Sequence, residues 1–346
     1  MISNNFIVSI ESEVKQIKLK TPFITALRRV EDVEFVRLHV KCDDGSFAIG
    51  EAPATKVITG EGIDDILVSV DEVKNSLIGK TPVEALDVLH VNSEIRSSAK
   101  AALDMSLVTL LAKSENQELY IYLGAKNSAT LQTDVTISLN TPQIMLEDAK
   151  EAVDNNMSIL KLKFGRDISD AIEVIKKVSY ELPEAKLLVD ANQAWSVDES
   201  LSFIDGVEGC DIELIEQPVV AKDLSGLKKI TDMSTTPILA DEAVFTLYDA
   251  KKVIETKSAN MINIKLMKCG GITKAVEILD FAREKNVTCM LGSMLEGPYS
   301  INAALHLAMA YRDVIKYIDL DSPLLYKEPS DELEFEFNGS EISLKS

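Results

Sequence analysis

Five ionisable residues are set at an even stride through the middle of the chain. They are Lys163, Asp190, Glu216, Asp241 and Lys265, separated by 27, 26, 25 and 24 residues. Each closes or follows a short apolar stretch, in ILKLKFG, KLLVDAN, IELIEQP, PILADEA and NIKLMK. Such a step holds about one strand, one helix and their loops. The same place in successive βα units therefore carries an acid three times running, with a lysine on either side. In a parallel barrel the strand C-termini converge on one face, where active sites are built. Three carboxylates gathered there repel one another, and each is costly to bury unless paired or bound to metal. One divalent cation per subunit resolves both problems, and an all-oxygen donor set favours Mg²⁺, with Mn²⁺ as a substitute. A single strand-end acid could equally cap the following helix, a reading that weakens when three consecutive strands carry one.

Lys161 lies two residues before Lys163, so both side chains leave one face of the strand while Leu160, Leu162 and Phe164 leave the other. Strands in a βαβ series are covered on both faces, which turns the lysine pair toward the barrel mouth. Lys265 is a lone lysine in the apolar stretch MINIKLM. Neighbouring cations lower a lysine's pKa, as a general base requires. Lys163 falls on the second barrel strand and Lys265 on the sixth, diametrically opposed in a barrel of eight. One lysine can then remove a proton from a carbon next to a carboxylate while the other returns it from the opposite face. The metal would hold the carboxylate and stabilise the enediolate. Asp319 and Asp321 add negative charge at the end of the eighth strand. A substrate ammonium is their simple complement, although a cap or turn before Ser322-Pro323 fits equally well. No histidine occupies a comparable position, since His306 falls in a helix expected over 298–310, and no serine or cysteine triad has its partner.

The elements that must position these residues follow from hydrophobic periodicity. Residues 5–20 alternate as a strand, with a turn signal at Pro22. Two further strands flank the hairpin turn Asp43-Asp44-Gly45. Helical periodicity then covers 63–78, 82–91 and 95–112, giving a small α+β domain over residues 1–125. From residue 126 strand and helix alternate, with strands expected at 132–139, 159–164, 186–191, 212–217, 237–241, 261–266, 287–292 and 316–320. Thr141-Pro142 opens the first of seven intervening helices. The fold class is α/β, a modified TIM barrel (β/α)7β over 126–321. An N-terminal α+β cap is completed by segment 322–346, which returns to it. A doubly wound open sheet would carry a glycine-rich nucleotide loop after its first strand, and Cys269-Gly270-Gly271 is not one.

Composition sets the bounds. Of 346 residues, 46% are hydrophobic, enough for a sizeable core, and 36 basic against 56 acidic residues give a formal charge of −20. That charge reads first as a solubility feature, and it would repel nucleic acid and anionic membranes as partners. The opening stretch MISNNFIVSIESEVK does not read as a secretory signal, and no apolar run is long enough to span a membrane. Cys42, Cys210, Cys269 and Cys289 are scattered without metal-ligand spacing and read as reduced thiols of a cytoplasmic protein.

The order and spacing of Lys161-x-Lys163, Asp190, Glu216, Asp241 and Lys265 resemble the enolase superfamily, in its muconate lactonizing enzyme subgroup, across the whole chain. Within it, three stretches resemble the dipeptide epimerases. The resemblance implies that Asp319-Leu-Asp321 binds the ammonium of a small dipeptide. It implies that Arg28, in PFITALR, pairs with a glutamate side chain. It also implies that EAPATKVITGEG is a loop closing over the ligand, with Ile58 toward the substrate. Thr136, Ser293, Met294 and Leu295 would line the pocket, and the chain would form a homo-oligomer. GSMLEGPYS departs from the family pattern around Glu296-Gly297-Pro298. The implied activity is Mg²⁺-dependent epimerization of L-Ala-L-Glu to L-Ala-D-Glu, in the use of cell-wall peptides. Two alternatives stay open: a lyase resembling o-succinylbenzoate synthase, and a barrel that binds a ligand without turnover.

Overall fold

The computed structural model describes residues 5–345. It opens with a three-stranded antiparallel sheet of β1 (Ile7–Ile24), β2 (Arg29–Cys42) and β3 (Phe47–Pro53). The β2–β3 turn closes on Gly45, whose φ of +88° is left-handed and suits glycine. Pro22 does not end β1 as its turn signal suggests. The strand runs through it, and pairing slips between Lys18 and Phe23 before resuming at Phe23 opposite Val30. A residue without an N–H is tolerated where the ladder is already interrupted.

The period of two along β2 explains how this sheet is used on both sides. Val36, Leu38, Val40 and Cys42 pack against the helices Ile63–Leu77, Pro82–Val91 and Ser97–Ser114. Val33 and Phe35 face the other way, onto Leu295 and Tyr326. At Gly50 a Cβ would stand 1.9 Å from the Ala102 carbonyl, so only glycine lets β3 and the third helix approach this closely.

The second body is an eight-stranded parallel sheet. A short β4 (Leu131–Gln132) precedes its strands: β5 (Val135–Ile137), β6 (Ile159–Lys163), β7 (Lys186–Asp190), β8 (Ile212–Glu216), β9 (Ile238–Ala240), β10 (Met261–Ile264), β11 (Cys289–Gly292) and β12 (Ile315–Asp319). Neighbours in sequence are neighbours in the sheet. Its two ends meet through the stretch before β5. The Asp134 N–H donates to the Ile318 carbonyl at 3.0 Å, and the Leu320 N–H donates to Thr133 Oγ1 at 3.0 Å. The first strand is shorter than expected because Thr133 and Asp134 make this closure outside a regular ladder.

Seven long helices cover the outside, with an extra turn at Leu266–Cys269. The helix Ile168–Glu181 shows why they lie down: Ala171, Val174, Ile175 and Val178 form one buried stripe. Inside the barrel, Leu188, Leu214, Leu239, Met261 and Met290 plug the floor. Beyond Asp319 the chain crosses the cap, where Leu19 bridges Tyr326 and the Lys327 N–H donates to the Lys18 carbonyl at 2.8 Å. It ends as β13 (Phe335–Asn338) and β14 (Glu341–Leu344), the latter paired with β4. Among the described residues, no helix is long and apolar enough to cross a membrane.

One buried cluster holds the cap sheet to the barrel. Glu51, fully buried on β3, accepts from Arg37 Nε at 2.8 Å and from the Tyr299 and Ser300 N–H groups at 2.8 and 3.2 Å. It thereby caps the helix Pro298–Ala310, while Arg37 forks onto Glu332 at 2.6 and 2.7 Å. Breaking a buried pair by removing one partner typically costs about 3–5 kcal/mol. Glu51→Ala is therefore expected to lower the unfolding free energy by roughly that amount in urea titration. Stability equal to wild type would show that the clamp is dispensable.

Candidate active site

Register places the acids before any side chain is considered. Lys163 pairs with Asp190, and Asp190 with Glu216, so the three stand abreast at the C-terminal ends of β6, β7 and β8. Thr136 on β5 pairs with Lys161, one layer deeper. The backbone turns left-handed just after two of the acids, at Asn192 (φ 43°), Gln193 (φ 66°) and Gln217 (φ 36°). Non-glycine residues rarely adopt this region, and strain of this kind collects at functional sites. Local bonds hold it in place. The Asn192 N–H donates to Asp190 Oδ1 at 2.9 Å, and Gln217 Oε1 accepts from the Asp241 and Ala243 N–H groups at 2.9 and 3.1 Å.

The lysines lie within this ring of acids. Lys161, with no exposure, meets Glu216 Oε2 at 2.6 Å, Asp319 Oδ2 at 2.7 Å and Asp190 Oδ2 at 3.6 Å. Lys163 donates to Asp190 Oδ2 at 2.5 Å, and Lys265 meets Asp241 Oδ2 at 2.9 Å. Gly292 makes room for Lys265, since a Cβ there would come within 3.0 Å of Lys265 Cε. Both Lys163 and Lys265 open into one pocket. They enter it from the second and sixth of eight strands, on opposite sides.

Of the residues expected at the site, Arg28, Ile58, Thr136, Lys163, Asp241, Lys265, Ser293, Met294, Leu295, Asp319 and Asp321 all line this pocket. Lys161, Asp190 and Glu216 lie beneath it, fully buried. Arg28 sits on the turn between β1 and β2, closed by the Thr25 N–H donating to its carbonyl at 2.9 Å. Burial pushes its pKa down to about 10, and among the described residues no carboxylate pairs with it. Ile58 belongs to a one-turn helix, Lys56–Thr59, whose following loop is anchored where Glu61 accepts from the Ser98 and Ala99 N–H groups. The loop after β11 is fixed through Ser293 Oγ donating to the Asp319 carbonyl at 3.0 Å and Ser322 Oγ donating to the Met294 carbonyl at 2.8 Å.

Other residues at this site are missing from the sequence reading. Glu242, next to Asp241, lines the pocket with both oxygens buried and unpartnered among the described residues. Lys268, buried, donates to Asp241 Oδ1 at 2.5 Å and to the Asp241 and Asn263 carbonyls at 2.6 and 2.9 Å. Asn263 Nδ2 donates to Glu216 Oε1 at 2.7 Å. Glu296 accepts from the Met294 N–H at 2.8 Å and from the Ser300 hydroxyl. Asp134 approaches Asp319 and Asp321, their oxygens lying within 4.8 Å of one another. Period two gave a signal for Asp134, two residues before Thr136; Glu242 and Lys268 gave none beyond adjacency.

The electrostatics follow from this packing. Burial raises Glu216 to about 7, with Asp190 adding to it, and raises Glu242 to about 8, with Asp241 adding. Asp190 and Asp241 move the other way: against burial, Lys163 and Lys161 hold Asp190 low, and Lys265 and Lys268 hold Asp241 low. The expectation that cationic neighbours would lower the lysines is reversed for Lys161 and Lys265. Burial does pull each down, but Asp319 and Glu216 around Lys161, and Asp241 beside Lys265, hold both above the ordinary value. Seven carboxylates (Asp134, Asp190, Glu216, Asp241, Glu242, Asp319, Asp321) share this interior with four lysines (Lys161, Lys163, Lys265, Lys268). That excess, its all-oxygen chemistry and the orphaned Glu242 oxygens fit a divalent cation.

Comparison with known proteins agrees with this geometry. Residues 8–124 match the mandelate racemase / muconate lactonizing enzyme N-terminal domain, and residues 144–345 match the enolase C-terminal domain-like family. The chain is 59% identical over 336 residues to an L-amino acid-D/L-Glu epimerase of Sulfurimonas denitrificans, covering 97% of this chain and 98% of that one. Its structure is similar to a substrate-liganded L-Ala-D/L-Glu epimerase from Bacillus subtilis, with a TM-score of 0.93 and 40% identity, covering 98% and 96% of the two chains. It is also similar to a dipeptide epimerase from Enterococcus faecalis complexed with Mg and L-Leu-L-Tyr, with a TM-score of 0.92 and 30% identity, covering 98% and 97%.

The raised pKa of Glu242 has a consequence for stability. Its folded value near 8 exceeds the ordinary 4.5. Between those values the native state binds the extra proton, so stability falls as pH rises through the window. Glu242→Gln is expected to flatten that fall in urea titrations run with a chelator present. An unchanged slope would place the titration on another group.

Proposed function

The chain belongs to the mandelate racemase / muconate lactonizing enzyme family of the enolase superfamily, and on that premise we propose that it is an isomerase, a dipeptide epimerase inverting the α-carbon of the C-terminal residue. The observation that carries this reading is the pair Lys163 and Lys265, entering one pocket from opposed strands above a buried ring of acids. A barrel that only bound a ligand has no use for two opposed proton carriers. The names of the three relatives given above, each an epimerase, support it.

Asp190, Glu216 and Asp241 would hold a Mg²⁺ ion. Bound there, the cation supplies positive charge that holds the substrate carboxylate, offsets negative charge developing beside the α-carbon, and loosens the acids' grip on the lysine protons. The protein's own groups do the rest. One lysine takes the α-proton and the other delivers a proton to the opposite face; the roles exchange in the reverse direction. Lys161, fixed among Glu216, Asp319 and Asp190, adds a permanent positive charge beneath the reacting carboxylate. Asp319 and Asp321 receive the ammonium of the N-terminal residue. Arg28, half-buried and unpaired, receives a side-chain carboxylate as a fork. L-Ala-L-Glu meets these demands, with an ammonium at one end and an acidic side chain at the other. A lyase acting on a carbocyclic acid would leave the Asp319/Asp321 pair without a cation.

Incubation with L-Ala-L-Glu and Mg²⁺ in deuterated water tests the reading. NMR should show deuterium at the glutamate α-carbon together with the D-Glu diastereomer. Lys163→Ala and Lys265→Ala should each lower epimerization by about 10²–10⁴-fold, the usual worth of a general acid or base; full activity in either would eliminate the two-base scheme. Arg28→Met should reduce kcat/KM for L-Ala-L-Glu while sparing L-Ala-L-Leu. Equal losses on both would take Arg28 out of side-chain recognition.

A further inference from the structure

Asp134 has no part in the reading above. Its N–H closes the barrel against Ile318, and its side chain shares the interior face with Thr136, two residues on. It is 0% exposed, and neither carboxylate oxygen has a hydrogen-bond partner among the described residues. An unpartnered buried carboxylate is costly, and a structural aspartate would have found a donor. What it does approach is the pair at the end of β12. One oxygen each of Asp134, Asp319 and Asp321 lies within 4.8 Å of the other two. The pair's own bonds leave capacity free. Asp319 Oδ2 accepts from Lys161 at 2.7 Å and Asp321 Oδ2 from the Thr136 N–H at 2.6 Å, and each carboxylate keeps further lone pairs.

One central atom can meet all three of these oxygens. Mg²⁺ demands a fuller set of about six oxygens, whereas three acceptors match the three charge-assisted N–H···O bonds of an ammonium. A primary ammonium offers three N–H donors from one nitrogen. We propose that Asp134 is the third wall of a cup that takes the free α-ammonium of the substrate's N-terminal residue. This inference rests on the dipeptide reading and sharpens it. The pair Asp319/Asp321 could tolerate an amine carrying one substituent, whereas three converging carboxylates require all three N–H bonds. The substrate class is therefore peptides with an unmodified amino terminus, and N-acylated amino acids are excluded. Burial, with Asp319 adding to it, pushes the Asp134 carboxyl well above its usual range, and an ammonium seated among the three reverses that repulsion.

Asp134→Asn keeps the shape and removes the charge. Its kinetics are to be measured with Mg²⁺ on L-Ala-L-Glu and on propionyl-L-Glu, which lacks only the amine. Wild type should strongly prefer the amine-bearing substrate. In Asp134→Asn, KM for L-Ala-L-Glu should rise about tenfold or more, the loss falling on KM rather than kcat, and the preference should shrink by the same factor. The thermal midpoint of the variant should equal or exceed wild type, because an unpaired buried carboxylate has been removed. A lowered midpoint with unchanged KM would assign Asp134 to the fold and overturn the proposal, as would an unchanged preference for the amine. Wild-type protein that epimerises no free-amine peptide would instead overturn the functional reading, and this inference with it.

Discussion

The barrel mouth depends on one constraint: more carboxylates are buried there than lysines can neutralise. Two like charges about 4 Å apart cost roughly 4 kcal/mol at the effective dielectric of a partly buried site. The structure spreads that cost unevenly. Asp190 and Asp241 take the closest lysine contacts and stay low, while Glu216 and Glu242 are pushed to about 7 and 8. The same field fixes Lys161 and Lys265 as ammonium groups despite their burial. Lys268 shows how far the arrangement goes. It donates twice to Asp241, at Oδ1 and at the carbonyl, and once to the Asn263 carbonyl, leaving Lys265 on the carboxylate's other oxygen.

Holding such a set in place calls for a rigid floor and a fixed lid. The floor is the apolar plug of Leu188, Leu214, Leu239, Met261 and Met290, which separates the charged layer from the barrel's far end. Close packing there keeps the strand register, and register sets Lys163, Asp190 and Glu216 abreast. The lid is the cap, whose sheet turns Phe35 and Val33 onto Leu295 while Glu51 caps the helix just beyond it. Cap and barrel thus meet at the loop that lines the pocket, and Arg28 and Ile58 are presented from the cap side. In the proposed reaction, proton transfer belongs to barrel strands and side-chain recognition to the cap.

Much of this was legible in the chain itself. The stride from Lys163 to Lys265 gave both the barrel and the ring of acids, because strand-end positions recur once per βα unit. The opposed lysines followed from counting strands. Pro22 misled, because its turn propensity is overridden where an irregular ladder asks nothing of its missing N–H. The direction of the Lys161 and Lys265 shifts was also misread. It depends on how many carboxylates crowd each ammonium in space, and these come from strands or loops far apart in sequence: Asp319, Glu216, Asp190 and Asp134 around Lys161, and Asp241, Glu216 and Asp319 around Lys265. Glu242 and Lys268 escaped notice for a related reason. Each sits one or three residues from a residue already singled out, and only the fold shows that its side chain turns inward.

The orphaned groups bear on why this interior is built as it is. Asp134 and Glu242 carry buried oxygens that no donor among the described residues satisfies, so each weakens the folded state without a compensating bond. Sequences drift toward stability unless function holds them back, and sites that bind charge are where that tension appears. The two lie in different parts of the mouth: Asp134 beside the β12 acids, Glu242 beside Asp241 and Lys265. In the proposed reading both mark places for positive charge: the substrate ammonium beside the β12 acids, and, beside Asp241, the cation that would hold the substrate's carboxylate. On this view the unsatisfied oxygens mark where ligand charge is expected, and the tight Glu51–Arg37–Glu332 clamp supplies stability at a distance, where it does not disturb the chemistry.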